Sequence, residues 1–154
     1  MHGEQVSRIL LVCSPGGHLL QLLSMEPAYR DFEQSWVTLR GADSEFLLAG
    51  RDVTYAHGPT NRSPRMALRN LGVAWRTLRS RKPDVVLSTG AALAVPCFLM
   101  GRLLGCRVVY VESLTRTSRL SLSGRLVYPL AHAFFVQWPT TTRLKRAQYA
   151  GSIL

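Results

Sequence analysis

A chain of 154 residues, 47% of them hydrophobic, is long enough for one domain with a full core and too apolar for a disordered segment. Its 19 Lys+Arg against 9 Asp+Glu leave a net charge of +10, which calls for an anionic partner: nucleic acid, an anionic membrane surface, or a phosphorylated or acidic sugar. Cys13, Cys97 and Cys106 are odd in number, sit in apolar runs and lack ligand spacing, so they read as reduced cytosolic thiols and not as a disulfide framework or a zinc site.

Met1 to Arg8 is polar and the apolar run after it is only a strand long, so no signal peptide is expected. No uninterrupted apolar window reaches the roughly 18 residues of a membrane span. The first strand, 8–13, runs into Ser14-Pro15-Gly16-Gly17-His18 and then an apolar helix over 17–26. Gly16 and Gly17 permit close backbone approach to a ligand, and the helix start offers free N–H groups to phosphate or another oxyanion. His18 adds a side chain of the type that exchanges protons in the neutral range. The same turn also fits an ordinary strand-to-helix connection.

A strand over 34–39, a helix over 43–49 and a strand over 52–56 follow. Residues 64–81 pattern as a basic helix, with Arg65, Arg69, Arg76 and Arg79 on one face and Leu68, Leu71, Trp75 and Leu78 on another. That arginine face suits a solvated surface or anionic lipid head groups; Arg62, Arg81 and Lys82 extend the charge. A strand over 84–88 leads through Thr89 and Gly90 to a helix over 91–104, then a strand over 107–111. Glu112 follows directly, placed to act as acid or base, to bind a sugar hydroxyl, or to cap the next loop. Ser113 to Gly124 carries hydroxyls with Arg116 and Arg119, suited to phosphate or sugar, and Ser121 or Ser123 can cap a helix over 121–131. A last strand is expected over 133–137.

Strands alternating with helices predict an α/β fold, a Rossmann-like parallel sheet with helices on both faces and six strands in the order 3-2-1-4-5-6. In that order the loops carrying His18, Thr89-Gly90 and Glu112-Ser113 converge where the order reverses. Gly-x-Gly-x-x-Gly is absent after the first strand, which argues against a dinucleotide site. Aromatic residues do not interleave with the basic ones, and no nucleic-acid partner is expected.

Three stretches resemble one family: Val109 to Arg116, Ser118 to Leu126 with Tyr128 to Ala131, and Phe135-Val136-Gln137-Trp138-Pro139. Gly16-Gly17-His18-Leu19, Pro83 to Val86 and Ser88-Thr89-Gly90 fit it too, so the resemblance runs nearly end to end. The family is the membrane-associated subunit of the two-part UDP-N-acetylglucosamine transferase of dolichol-linked glycan assembly, with its bacterial capsule and exopolysaccharide counterparts. The resemblance implies the N-terminal half of a GT-B glycosyltransferase, a single acceptor-binding domain over 1–154. It implies a subunit inactive without a donor-binding partner, passing a sugar from a UDP-sugar to a polyprenyl-diphosphate-linked acceptor.

His18 is then the first choice for the base and Glu112 the second. Ser14, Gly16, Gly17, Thr89, Gly90, Ser113, Arg116 and Arg119 would hold substrate, and Arg65, Arg69, Arg76 and Arg79 would face the membrane. Residues 148–154 are expected beyond the last strand as a tail docking on the partner through Tyr149, Ile153 and Leu154. No cofactor or metal is implied. Eukaryotic members carry an N-terminal anchor that this sequence lacks, so a peripheral protein on the cytoplasmic face of a bacterial inner membrane is expected. The alternative is a non-catalytic recruiter or activator of a separate transferase.

Overall fold

The computed structural model describes residues 7–60, 62–141 and 144–153. Seven strands form one sheet: β1 (Arg8–Val12), β2 (Glu33–Thr38), β3 (Val53–Tyr55), β4 (Val85–Ser88), β5 (Arg107–Val111), β6 (Ala133–Val136) and β7 (Ala147–Tyr149). Six helices connect them: α1 (Gly17–Ser24), α2 (Glu26–Tyr29), α3 (Ala42–Leu47), α4 (Pro64–Arg81), α5 (Ala94–Leu103) and α6 (Leu122–Val127). Every strand pair is parallel and the order is β3-β2-β1-β4-β5-β6-β7, so the expected reversal lies between β1 and β4.

Side chains alternate across the pleat, which explains the unbroken apolar strands. Leu10, Val12, Val86, Val108 and Tyr110 point to one face, where Ala74 and Leu78 of α4, Cys97 and Phe98 of α5 and Val127 of α6 cover them. Ile9, Leu11, Cys13, Trp36 and Leu87 point to the other, beneath Leu19 and Leu22 of α1 and Tyr29 of α2. Burial pushes the Cys13 and Cys97 thiols up to about 12, which keeps them protonated.

Three expectations are corrected. The sheet has a seventh strand where only a tail beyond the last strand, docking on the partner, was expected: Ala147, Gln148 and Tyr149 pair with Phe134, Phe135 and Val136. Arg146 starts it by donating its backbone N–H to the Tyr128 hydroxyl at 2.9 Å and its guanidinium to the Ala131 carbonyl. Beyond it, Ser152 Oγ donates to the Gln137 carbonyl and the Ile153 N–H to Gln137 Oε1, both at 3.0 Å, and Ile153 packs against the second core. Leu154 lies outside the described residues.

Helix α4 has the expected bounds but a different buried face. Asn70, Val73, Ala74, Thr77 and Leu78 point inward, while Leu68 and Trp75 are 70% and 43% exposed among the arginines. Asn70 sets this rotation, because its amide takes the His57 N–H at 2.8 Å and donates to the His57 carbonyl at 3.0 Å. Finally, the helix expected over 17–26 ends at Ser24, and α2 starts afresh with Pro27 in its first turn.

Candidate active site

The carboxyl ends of β1, β4 and β5 lie side by side, and three loops meet above them. His18 sits in the first turn of α1. Its Nδ1 lies 3.0 Å from the Thr89 carbonyl, and Thr89 Oγ1 donates back to the His18 carbonyl at 2.7 Å. A carbonyl only accepts, so Nδ1 carries a proton, and in the neutral ring Nε2 is the nitrogen with the lone pair. Gly90, at φ +130°, lies against the ring: a Cβ there would stand 2.7 Å from His18 Cε1 and 2.9 Å from Nδ1.

The glycine turn is spoken for. The Gly16 N–H donates to Asp43 Oδ2 at 2.5 Å, so a carboxylate of α3 sits at the positive end of α1, where an oxyanion was expected. Glu112 is 1% exposed and spent on its own loop. It accepts the Ser113 and Ser121 N–H groups at 2.9 Å each, and the Ser121 hydroxyl lies 3.0 Å from both its oxygens. Ser121 Oγ in turn caps α6 through the Gly124 N–H at 2.9 Å. Gly124 leaves room for this network, since a Cβ there would overlap Glu112 Oε2. Burial, and then the charge of Glu112, raise the Tyr110 phenol, so Tyr110 stays a donor beside this network. Gln21 of α1 ties the loop to the helix by donating to the Glu112 carbonyl at 3.1 Å and accepting the Leu114 N–H at 3.3 Å.

These loops frame a cleft of about 850 Å³. His18, Ser113 and Arg116 of the expected residues line it. Thr89 and Gly90 are buried behind the imidazole; Gly16 and Gly17 are exposed at the start of α1, and Ser14, Glu112 and Arg119 are not among the lining residues. Arg62, Ser63 and Asn70 at the α4 end and Arg125 on α6 also line it. Their sequence signals were slight: Arg62 stands just before a Ser-Pro helix start, and Arg125 lies within the resembling stretch. Among the described residues no Asp or Glu lines the cleft, and Arg62, Arg116 and Arg125 make no ion pair.

Residues 55–153 match the family described as Alg14: Oligosaccharide biosynthesis protein Alg14 like. The UDP-N-acetylglucosamine transferase subunit ALG14 of Eremothecium gossypii is 39% identical over 125 residues, covering 75% of this chain and 56% of that protein. The subunit of the same name from Rattus norvegicus is 30% identical over 178 aligned positions, covering 95% of this chain and 82% of its own length. The chain thus spans little more than half of the fungal relative and most of the mammalian one. Among solved structures, MurG of Acinetobacter baumannii superposes with a TM-score of 0.76 at 18% identity, over 93% of this chain and 45% of that one. A UDP-N-acetylglucosamine 2-epimerase from Rickettsia bellii superposes with a TM-score of 0.73 at 10% identity, over 97% of this chain and 46% of that one. The architecture is that of the N-terminal, Rossmann-like half of a GT-B glycosyltransferase. With the family matched over the second and third loops of the cleft and on through β7, the chain belongs to the Alg14-like family of oligosaccharide biosynthesis proteins.

Proposed function

We propose that this chain is the acceptor-binding, membrane-associated subunit of a two-component glycosyltransferase. It passes a sugar from a UDP-sugar to a polyprenyl-diphosphate-linked acceptor, with His18 as general base. The observation that carries this reading is the His18 tautomer: Nδ1–H is fixed on the Thr89 carbonyl, and Nε2 is left to accept a proton at the cleft. The acceptor oxygen loses its proton to Nε2 as it bonds to the anomeric carbon. The bond from that carbon to the UDP oxygen breaks, and UDP leaves with the electron pair. Glu112, buried and fully hydrogen-bonded, serves as a positioning residue for the loop between β5 and α6.

In this reading the donor site belongs to a separate subunit. Tyr149, 46% exposed on β7, and the apolar groove beside Ile153 are where that subunit is seated. Membrane attachment falls to α4, whose outer face mixes Arg65, Arg69, Arg76 and Arg79 with exposed Leu68 and Trp75. Among the described residues no helix is long and apolar enough to cross a membrane. Leu122 and Leu126, each 51% exposed, rim the cleft on the same side of the sheet and bring its mouth to the lipid surface. The bilayer meant is a bacterial inner membrane, met from its cytoplasmic side.

The test is His18→Ala in the co-expressed two-subunit complex, read as sugar transfer to lipid acceptor. Turnover is expected to fall by roughly 10²–10⁴-fold with complex assembly intact. Wild-type turnover by the variant would leave the recruiter reading in its place.

A further inference from the structure

We propose that Arg62, Arg116 and Arg125 form a clamp for the diphosphate of the lipid-linked acceptor, in place of the glycine turn. The inference rests on the acceptor-binding reading above and assigns the anion to particular residues. Two observations remove the glycine turn: Asp43 already takes the Gly16 N–H, and Gly16 and Gly17 are not among the residues lining the cleft. A second carboxylate-like charge beside Asp43 would be repelled.

The cleft offers the opposite environment. Three arginines come from three separate elements: the segment before α4, the loop after β5, and α6. Among the described residues none has an acidic partner, and none of the side chains that line the wall is acidic. The N-terminal turn of α4, capped by Ser63, adds its partial positive charge at the same wall. A diphosphate presents enough oxygens and charge for three planar forks, as a single carboxylate does not. The backbone also bends to make this wall. Arg62 at φ 48° and Ala91 at φ 75° hold the left-handed region without being glycine, and both line the cleft. The wall continues as Val95, Leu120, Leu122 and Leu126. Cations next to an apolar strip suit an amphiphile with a diphosphate head, and distinguish it from a nucleoside diphosphate, whose base and ribose are polar.

The full-length chain would be titrated calorimetrically with farnesyl diphosphate, farnesyl monophosphate, inorganic pyrophosphate and UDP. Farnesyl diphosphate is expected to bind most tightly, and each of Arg62→Gln, Arg116→Gln and Arg125→Gln to weaken it by roughly 10- to 100-fold. Arg30→Gln, which removes the same charge from an exposed position outside the cleft, is expected to leave that affinity unchanged. All four arginines are exposed, so the fold should survive, with thermal melting as the control. Equal affinity of the three cleft variants and wild type, absent binding to wild type, or tighter binding of UDP than of farnesyl diphosphate would each overturn the clamp. His18→Ala separates the two readings. If it abolishes transfer while the arginine variants bind normally, the base stands and the clamp falls.

Discussion

At the scale of single residues, the site is a matter of which hydrogen bonds are already committed. Glu112 has the position of a catalytic carboxylate but gives its oxygens to its own loop, whereas His18 spends Nδ1 on a backbone carbonyl and keeps Nε2. Gly90 makes that arrangement possible. In Gly90→Ala the new methyl would press on the imidazole at 2.7 Å, in a backbone conformation at φ +130° that alanine resists. Displacing the proposed base by even about 1 Å is expected to cost on the order of 10²-fold in turnover. The measurement is kcat and KM of the complex beside a thermal melt. A variant that melts lower yet turns over at the wild-type rate would mean that the ring does not work from this position.

Among the elements, α4 and β7 departed most from expectation. The outward face of α4 is neither purely basic nor purely apolar, and the Arg79 guanidinium lies 5.4 Å from the Trp75 ring centroid. Cations interleaved with an aromatic ring and a leucine suit the boundary between lipid head groups and acyl chains. Arg69→Glu with Arg76→Glu is expected to release the protein from anionic vesicles, since each basic residue near such a surface contributes about 1 kcal/mol. Co-sedimentation should also fall with salt, because the attraction decays over about 8 Å at physiological ionic strength. Sedimentation of the double variant like wild type would leave Leu68, Trp75 or the partner as the attachment.

Truncation before Gln148 now carries a stability cost that a free tail would not. It strips hydrogen bonds from β6 and leaves buried Gln137 Oε1 without the Ile153 N–H, a loss of about 1–3 kcal/mol for such a group. Urea unfolding should show a lowered midpoint; an unchanged one would mean that the strand contributes nothing to the fold.

At the scale of the whole molecule, the chain superposes on 45% of the MurG chain, and a cleft between two domains needs about twice one domain's residues. The proposed division of labour therefore makes a plain demand. The purified chain, given UDP-N-acetylglucosamine and a lipid-linked acceptor, is expected to transfer nothing, and co-expression with a donor-binding subunit to restore transfer. Robust turnover by this chain alone would defeat the two-component reading.

The strand order around the β1/β4 reversal, the bounds of α4 and the placing of His18 beside Thr89-Gly90 were legible along the chain. These rest on local signals: unbroken apolar strands, a Ser-Pro helix start, glycine at a turn. The Glu112 to Pro139 stretch was distinctive enough to identify the family. Tertiary structure alone decided the rest. Which side of α4 is buried depends on Asn70 reaching His57, and the fate of the glycine turn on Asp43, 27 residues further along the chain. The strand character of Ala147-Gln148-Tyr149 comes from the open edge of β6, because a run of three residues with only Tyr149 of strong β preference carries no signal of its own. The meeting of Arg62, Arg116 and Arg125 at one cleft follows from the packing of α4 and α6 on one sheet face, and no spacing along the chain encodes a contact between elements so far apart.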